Sequence, residues 1–182
     1  MHIAGVIAGL PGPESDWDSI LTAGPHPAGS ITLAALALDE GRLEQALADA
    51  VINAKKPDAR LACAYLVGTI GWEVANAVVG LWLSGITPAA ITADDVSLST
   101  RWIDWDDEGT IRKYAVLDVN IDPAALVPGQ GSDADLARIM IDLHTALIAV
   151  TAARTGLGVA AQWRLIGDGL SGALLGRGKA MD

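Results

Sequence analysis

The chain has 182 residues and a net charge of −10, with 51% apolar and 19% charged residues. That length suits one domain with enough apolar side chain for a real core. The acidity argues against nucleic acid, whose binding relies on clustered Lys and Arg, and against an anionic membrane surface. Six Trp and no Phe accompany Ala, Leu, Val and Ile, a composition that points to closely packed, Ala-rich helices. The single cysteine, Cys63, rules out an intrachain disulfide or a multi-cysteine metal site within these residues. Its apolar neighbours in "RLACAYLV" predict a buried, inert thiol.

Residues 1–30 are rich in Pro and Gly and read as irregular, with one short helical turn at "SDWDSIL". In "SITLAALALDEGRLEQALADAVINAKK", Leu43, Leu47 and Ile52 follow helical spacing, Asp39 is a candidate N-cap and Pro57 a stop. Asp58 caps the next expected helix, 59–84, where Ala62, Ala64, Gly68, Gly71, Ala75, Ala77 and Gly80 would let neighbouring helices approach closely. No basic-then-apolar leader opens the chain. The longest apolar run is interrupted by Glu73 and Asn76, which predicts a buried helix of a soluble, cytoplasmic protein rather than a membrane span.

From residue 95 the period changes. "DVSLSTRWIDW" and "TIRKYAVLDVNI" partly alternate and carry residues suited to a pleated surface, with "DDEG" as a turn between them. An antiparallel hairpin is expected, 95–103 against 111–119. After the loop "DPAALVPGQG", Ser132 or Asp133 caps a helix to about 155, Gly156 and Gly158 break it, and a last helix covers 159–175. The fold class is therefore α+β, a single domain over 1–182, mostly helical with a central antiparallel β-hairpin.

Phosphate-cradling and nucleophile-elbow motifs are absent, and His2, His26 and His144 are too scattered to announce a metal site. Neither metal nor cofactor is expected. His144, within "IMIDLHTALIAV", shares a helical side with 148, 151 and 155; it could move protons in a pocket or sit in the core on a backbone carbonyl. Glu73, with Thr69 and Asn76 on one helical face, needs a partner: an arginine from another helix, or a ligand. Arg164 and Asp168 are spaced for a helical ion pair. Alternatively, Arg154 and Arg164 converge on an anion that Trp163 walls, since an Arg fork suits carboxylate, sulfate or phosphate.

In this order the chain resembles the ferric-siderophore reductase-like (FhuF-like) family, whose domain recurs in siderophore synthetases. "ARLACAYLVGTIGWEVANAVVGLWLSGI" looks like the family's central helix, and "ITADDVSLSTRW" like its first hairpin strand. "LARIMIDLHTALIAVTAARTGLGVAAQWRLIGDGLSGALL" looks like its closing helix pair, with Trp163-Arg164 at the typical Trp-polar position. The likeness covers residues 57–175. Reductases of the family end in a cysteine-rich segment that ligates a [2Fe–2S] cluster, whereas this sequence ends in "GRGKAMD". The resemblance thus implies a cluster-less relative in siderophore or other natural-product metabolism. Such a protein would bind a polar, anionic small molecule and catalyse a redox-free elimination, cyclisation or group transfer, as one subunit of a heteromer. In that reading His144 and Glu73 move protons, while Arg154, Arg164, Asp168, Trp163, Asn76 and Thr69 hold the substrate. Two alternatives stand beside it: a non-catalytic ligand-binding or stabilising partner, and a reductase whose reading frame continues past Asp182 into the cysteines.

Overall fold

The structure, a computed structural model, describes residues 3–8, 15–16, 18–88, 90–129 and 131–179. In chain order the elements are α1 (Ile3–Ala8), β1 (Leu21–Ala23), β2 (Ile31–Thr32), α2 (Leu33–Leu38), α3 (Glu40–Ala50) and α4 (Ala59–Leu83). There follow β3 (Ile86–Thr87), β4 (Val96–Asp107), β5 (Thr110–Ile121), β6 (Val127–Pro128), α5 (Asp133–Thr155) and α6 (Val159–Lys179). The expected α+β class holds.

Helix starts fall where short polar side chains can take a first-turn amide. Asp39 accepts from Arg42 N, and Asp58 from Leu61 N. Ser132 and Asp135 form a reciprocal capping box on α5. Gly156, at φ 72°, closes α5 in the left-handed conformation. Pro57 does not act as the stop: α3 already ends at Ala50, and 51–58 is a loop.

The hairpin is longer than expected. Its arms run in continuous register from Val96↔Ile121 to Asp107↔Thr110. The turn is only Glu108-Gly109, both at positive φ, 52° and 86°, the combination that matches the right-handed twist of two strands. Asp106 and Asp107, expected in the turn, belong to the strand. Nor does the hairpin stand alone: β1 pairs with β5 in parallel and β2 with β4 antiparallel, giving the order β1-β5-β4-β2. The segment expected to be irregular thus supplies α1 and an edge strand, and at "SDWDSIL" one turn, Asp18 N–H to Ser15 O at 3.2 Å, precedes β1. A further two-stranded piece, β3 with β6, lies in what reads as loop.

Helix α4 is the centre of the molecule. Val67, Ile70, Val74, Val78 and Leu81 are fully buried, as is the Cys63 thiol. Its small residues do what the sequence suggests, against α6: a Cβ at Gly169 would lie 3.0 Å from Gly71 C and Trp72 N. Helices α4 and α5 are long and apolar enough to cross a membrane. Their most apolar windows are 61% and 44% buried inside the fold, which is consistent with a soluble protein.

Candidate functional site

A cleft of about 390 Å³ opens where the α3–α4 connection leans over the hairpin. The connection is pinned there because Asn53 Nδ2 donates to Lys113 O on β5 at 2.6 Å. The end of α3 contributes Ala46, Asp49 and Ala50, helix α4 contributes Tyr65, Leu66 and Thr69, and the strands Thr100, Trp105, Tyr114, Ala115 and Leu117. A second cavity of about 430 Å³ shares Ala46, Asp49, Leu66, Thr100 and Leu117 with it, so the two join as one groove that reaches Arg42 and Gly29. Of the site residues expected from the sequence, Thr69 is the one that lines the cleft. Asp49, Asn53 and the three aromatic residues carry no signal in the sequence, because they come from four elements and the α3–α4 connection and form no local motif.

Glu73 follows Thr69 by one helical turn and is half-buried. The Ser19 hydroxyl donates to its Oε2, so the partner is a serine of the segment before β1 and not an arginine. Burial pushes the Glu73 carboxyl above its ordinary range; the Ser19 hydrogen bond opposes this, and the charges of Asp118 and Asp18 add to it. Asp118 is in turn gripped by Arg101, Nε–Oδ2 3.1 Å and Nη2–Oδ1 3.2 Å. The same guanidinium donates to Asp16 O at 2.7 Å and Asp18 O at 2.8 Å. Arg101 therefore straps the N-terminal segment over Glu73. Asn76 shares the helix but turns back, donating to Trp72 O at 3.0 Å.

His144 is fully buried. Its ring Nδ1 is 2.8 Å from Met140 O, and a carbonyl can only accept, so Nδ1 carries the hydrogen. Nε2 is then a bare acceptor with no partner among the described residues. Burial lowers the pKa to about 4, which keeps the ring neutral near pH 7. Along the same helical side Ile148, Thr151 and Thr155 are also buried, as the spacing predicts. Thr151 Oγ1 lies 2.7 Å from Gln162 Oε1, a buried polar link between α5 and α6, and Gln162 Nε2 donates to Leu157 O in the connecting loop at 2.8 Å. Gln162 carried no signal in the sequence, being one amide within "AAQWR".

Arg154 ties α5 to α3, with Nη2–Glu40 Oε1 at 2.7 Å and Nη1–Glu44 Oε1 at 3.1 Å. Arg164 and Asp168 are both exposed on α6, and no ion pair joins them among the described residues. Trp163 packs half-buried against the core. The two arginines share no partner among the described residues. His26 meets Asp94 O at 2.9 Å, Asp142 pairs with Arg138 at 3.2 Å, and His2 lies outside the described residues. Among the described residues no three His, Cys, Asp or Glu group as a metal site would. Set beside known proteins, the chain matches no family model, no curated protein and no solved structure.

Proposed function

We propose that the protein binds a polar small molecule in the cleft between the α3–α4 connection and the hairpin, as a FhuF-like protein of siderophore or other natural-product metabolism. The observation that carries this is the cleft itself. Its volume of about 390 Å³ suits a small ligand, and its mostly apolar wall holds a few convergent polar groups, as small-molecule sites do. The FhuF-like assignment rests on the order of elements, a small-residue central helix leading into a hairpin and then a closing helix pair. For chemistry, a redox-free proton transfer draws support from Glu73, which lies one turn beyond Thr69, under the N-terminal segment and not in the cleft lining, and whose carboxyl holds its proton above the usual range. His144 and Arg154 lend less: one is sealed in the core and the other is engaged by two carboxylates.

Thr100 is exposed and lines both cavities, so Thr100→Trp fills the groove at little folding cost. Native mass spectrometry of protein taken from its source should show a bound small molecule that the Thr100→Trp protein loses. A ligand retained by that variant would place the site elsewhere.

A stabilising-partner role is the second reading, and one observation favours it. Ile111 is 67% exposed, Ile52 52% and Trp102 39%. They lie on or against a hairpin whose β4 edge, among the described residues, is paired by β2 at Ser97 and Leu98 alone. A second chain appearing in the same spectrum, and lost on Ile111→Asp, would establish it.

A further inference from the structure

Resting on the cleft as the ligand site, we propose that it selects a cationic, ammonium-type group, held by Asp49 among the rings of Tyr65, Trp105 and Tyr114. The described residues that line the 390 Å³ cleft include these three aromatic residues and one carboxylate residue, with no Lys or Arg. An aromatic face is the negative side of a quadrupole and attracts a cation, an ammonium above all once it leaves water. Asp49, half-buried, supplies the counter-charge. Its Oδ1 takes the Gln45 amide at 2.8 Å, and Oδ2 has no partner among the described residues.

An anion in the same place would meet Asp49 among aromatic residues, with no Lys or Arg in the described lining of the cleft to offset them. The anionic ligand suggested by Arg154 and Arg164 loses its basis at this cleft, since neither arginine lines it. The net charge of −10 acts in the same direction by raising the local concentration of cations. Arg42 sits in the adjoining groove, seven residues before Asp49 on α3 and so about 10 Å away along the helix. A ligand long enough to reach it would carry its ammonium at Asp49 and an acid group at Arg42.

The test uses choline and 3,3-dimethylbutan-1-ol, which have the same shape with nitrogen and its charge replaced by carbon. Each is titrated into the full chain while amide resonances are followed. Choline should shift the amides of Asn53, Thr69 and Thr100 and bind about tenfold more tightly than the neutral alcohol, the difference expected of a desolvated cation–π site. Asp49→Asn should weaken choline about fivefold or more and leave the alcohol unchanged, while Tyr65→Ala should weaken choline several-fold more than it weakens the alcohol. Tyr65→Phe, which keeps the ring face and guards against a folding defect, should bind choline as the parent does. Equal affinity for the two probes, or choline binding that ignores Asp49→Asn, overturns the inference. Benzoate binding at those amides in preference to choline overturns it too, while leaving the cleft as a ligand site. Silence of all three probes overturns both readings.

Discussion

Ionising either His144 or Glu73 costs the folded state, and the two respond to acid in opposite directions. The His144 pKa falls from 6.5 to about 4 because burial penalises the imidazolium. Between about pH 6.5 and 4 the unfolded chain takes up this proton and the folded chain does not, so stability is lost as pH drops across that window. His144→Leu removes the titration together with the partnerless Nε2, at the loss of one hydrogen bond. It should stay within about 1 kcal/mol of the parent at pH 7 and lose less stability toward pH 4 in urea titrations. An unchanged acid decline would assign that decline to another group. Glu73 behaves the other way, because its folded carboxyl is raised, first by burial. Above the ordinary value of 4.5 the unfolded chain has released its proton while the folded one retains it. Stability therefore falls as pH rises through the window up to the raised value, and the loss persists above it. Glu73→Gln still accepts from Ser19 and should melt roughly 2–4 °C higher at pH 7, a gain that vanishes below the ordinary carboxylate range. Both residues are legible in the sequence as ionisable groups inside apolar runs. Their partners are not, since Ser19 lies 54 residues from Glu73 in a Pro/Gly-rich stretch that no pattern links to α4.

Helices and strands were legible to different degrees for a physical reason. A helix begins with a local device, and Asp39, Asp58 and Ser132 each bond an amide three residues on, so a short window holds the signal. Strands β1, β2, β3 and β6 are two or three residues long and exist only through partners elsewhere, Leu21 opposite Val119 for one. No periodicity fits in two residues. Helix contacts at α4 and α6 fall between these cases: the small residues announce a close approach without naming the partner. That approach gives a sharp contrast between two glycines of one helix. Gly→Ala in a helix normally gains up to about 1 kcal/mol, and Gly167→Ala should do so, since a Cβ there meets nothing within 4 Å. At Gly169 the same methyl would press on the Gly71 and Trp72 backbone at 3.0 Å, atoms that cannot rotate away. Gly169→Ala should lose about 1–3 kcal/mol by overpacking, read from urea midpoints with m unchanged. Equal effects at the two positions would mean that α4 and α6 do not run this close.

On the scale of the whole molecule, the N-terminal segment is closed onto the sheet largely by side chains on the hairpin. Ile20 N–H reaches Asp118 Oδ1 at 2.9 Å, Val119 N–H reaches Ile20 O at 2.9 Å, and β1 then continues in parallel with β5. The contacts span almost a hundred residues, which is why a sequence reading leaves the segment irregular. Arg101 is their organiser, because its planar fork serves Asp118 and the carbonyls of Asp16 and Asp18 at once. An ammonium cannot copy that geometry, so Arg101→Lys should behave more like Arg101→Ala than like the parent. In both variants the Ile20 and Val119 amides should exchange about tenfold faster or more, while Val74 in the core of α4 keeps its protection. Ser19 leaves Glu73 when the strap opens and water enters, so the main cause of the raised carboxyl pKa is removed together with the opposing hydrogen bond. Because burial is the larger of the two, the Glu73 carboxyl should titrate closer to the ordinary range in Arg101→Ala than in the parent. Faster exchange with an unmoved Glu73 titration would show that the strap secures the edge of the sheet but does not shield the carboxyl.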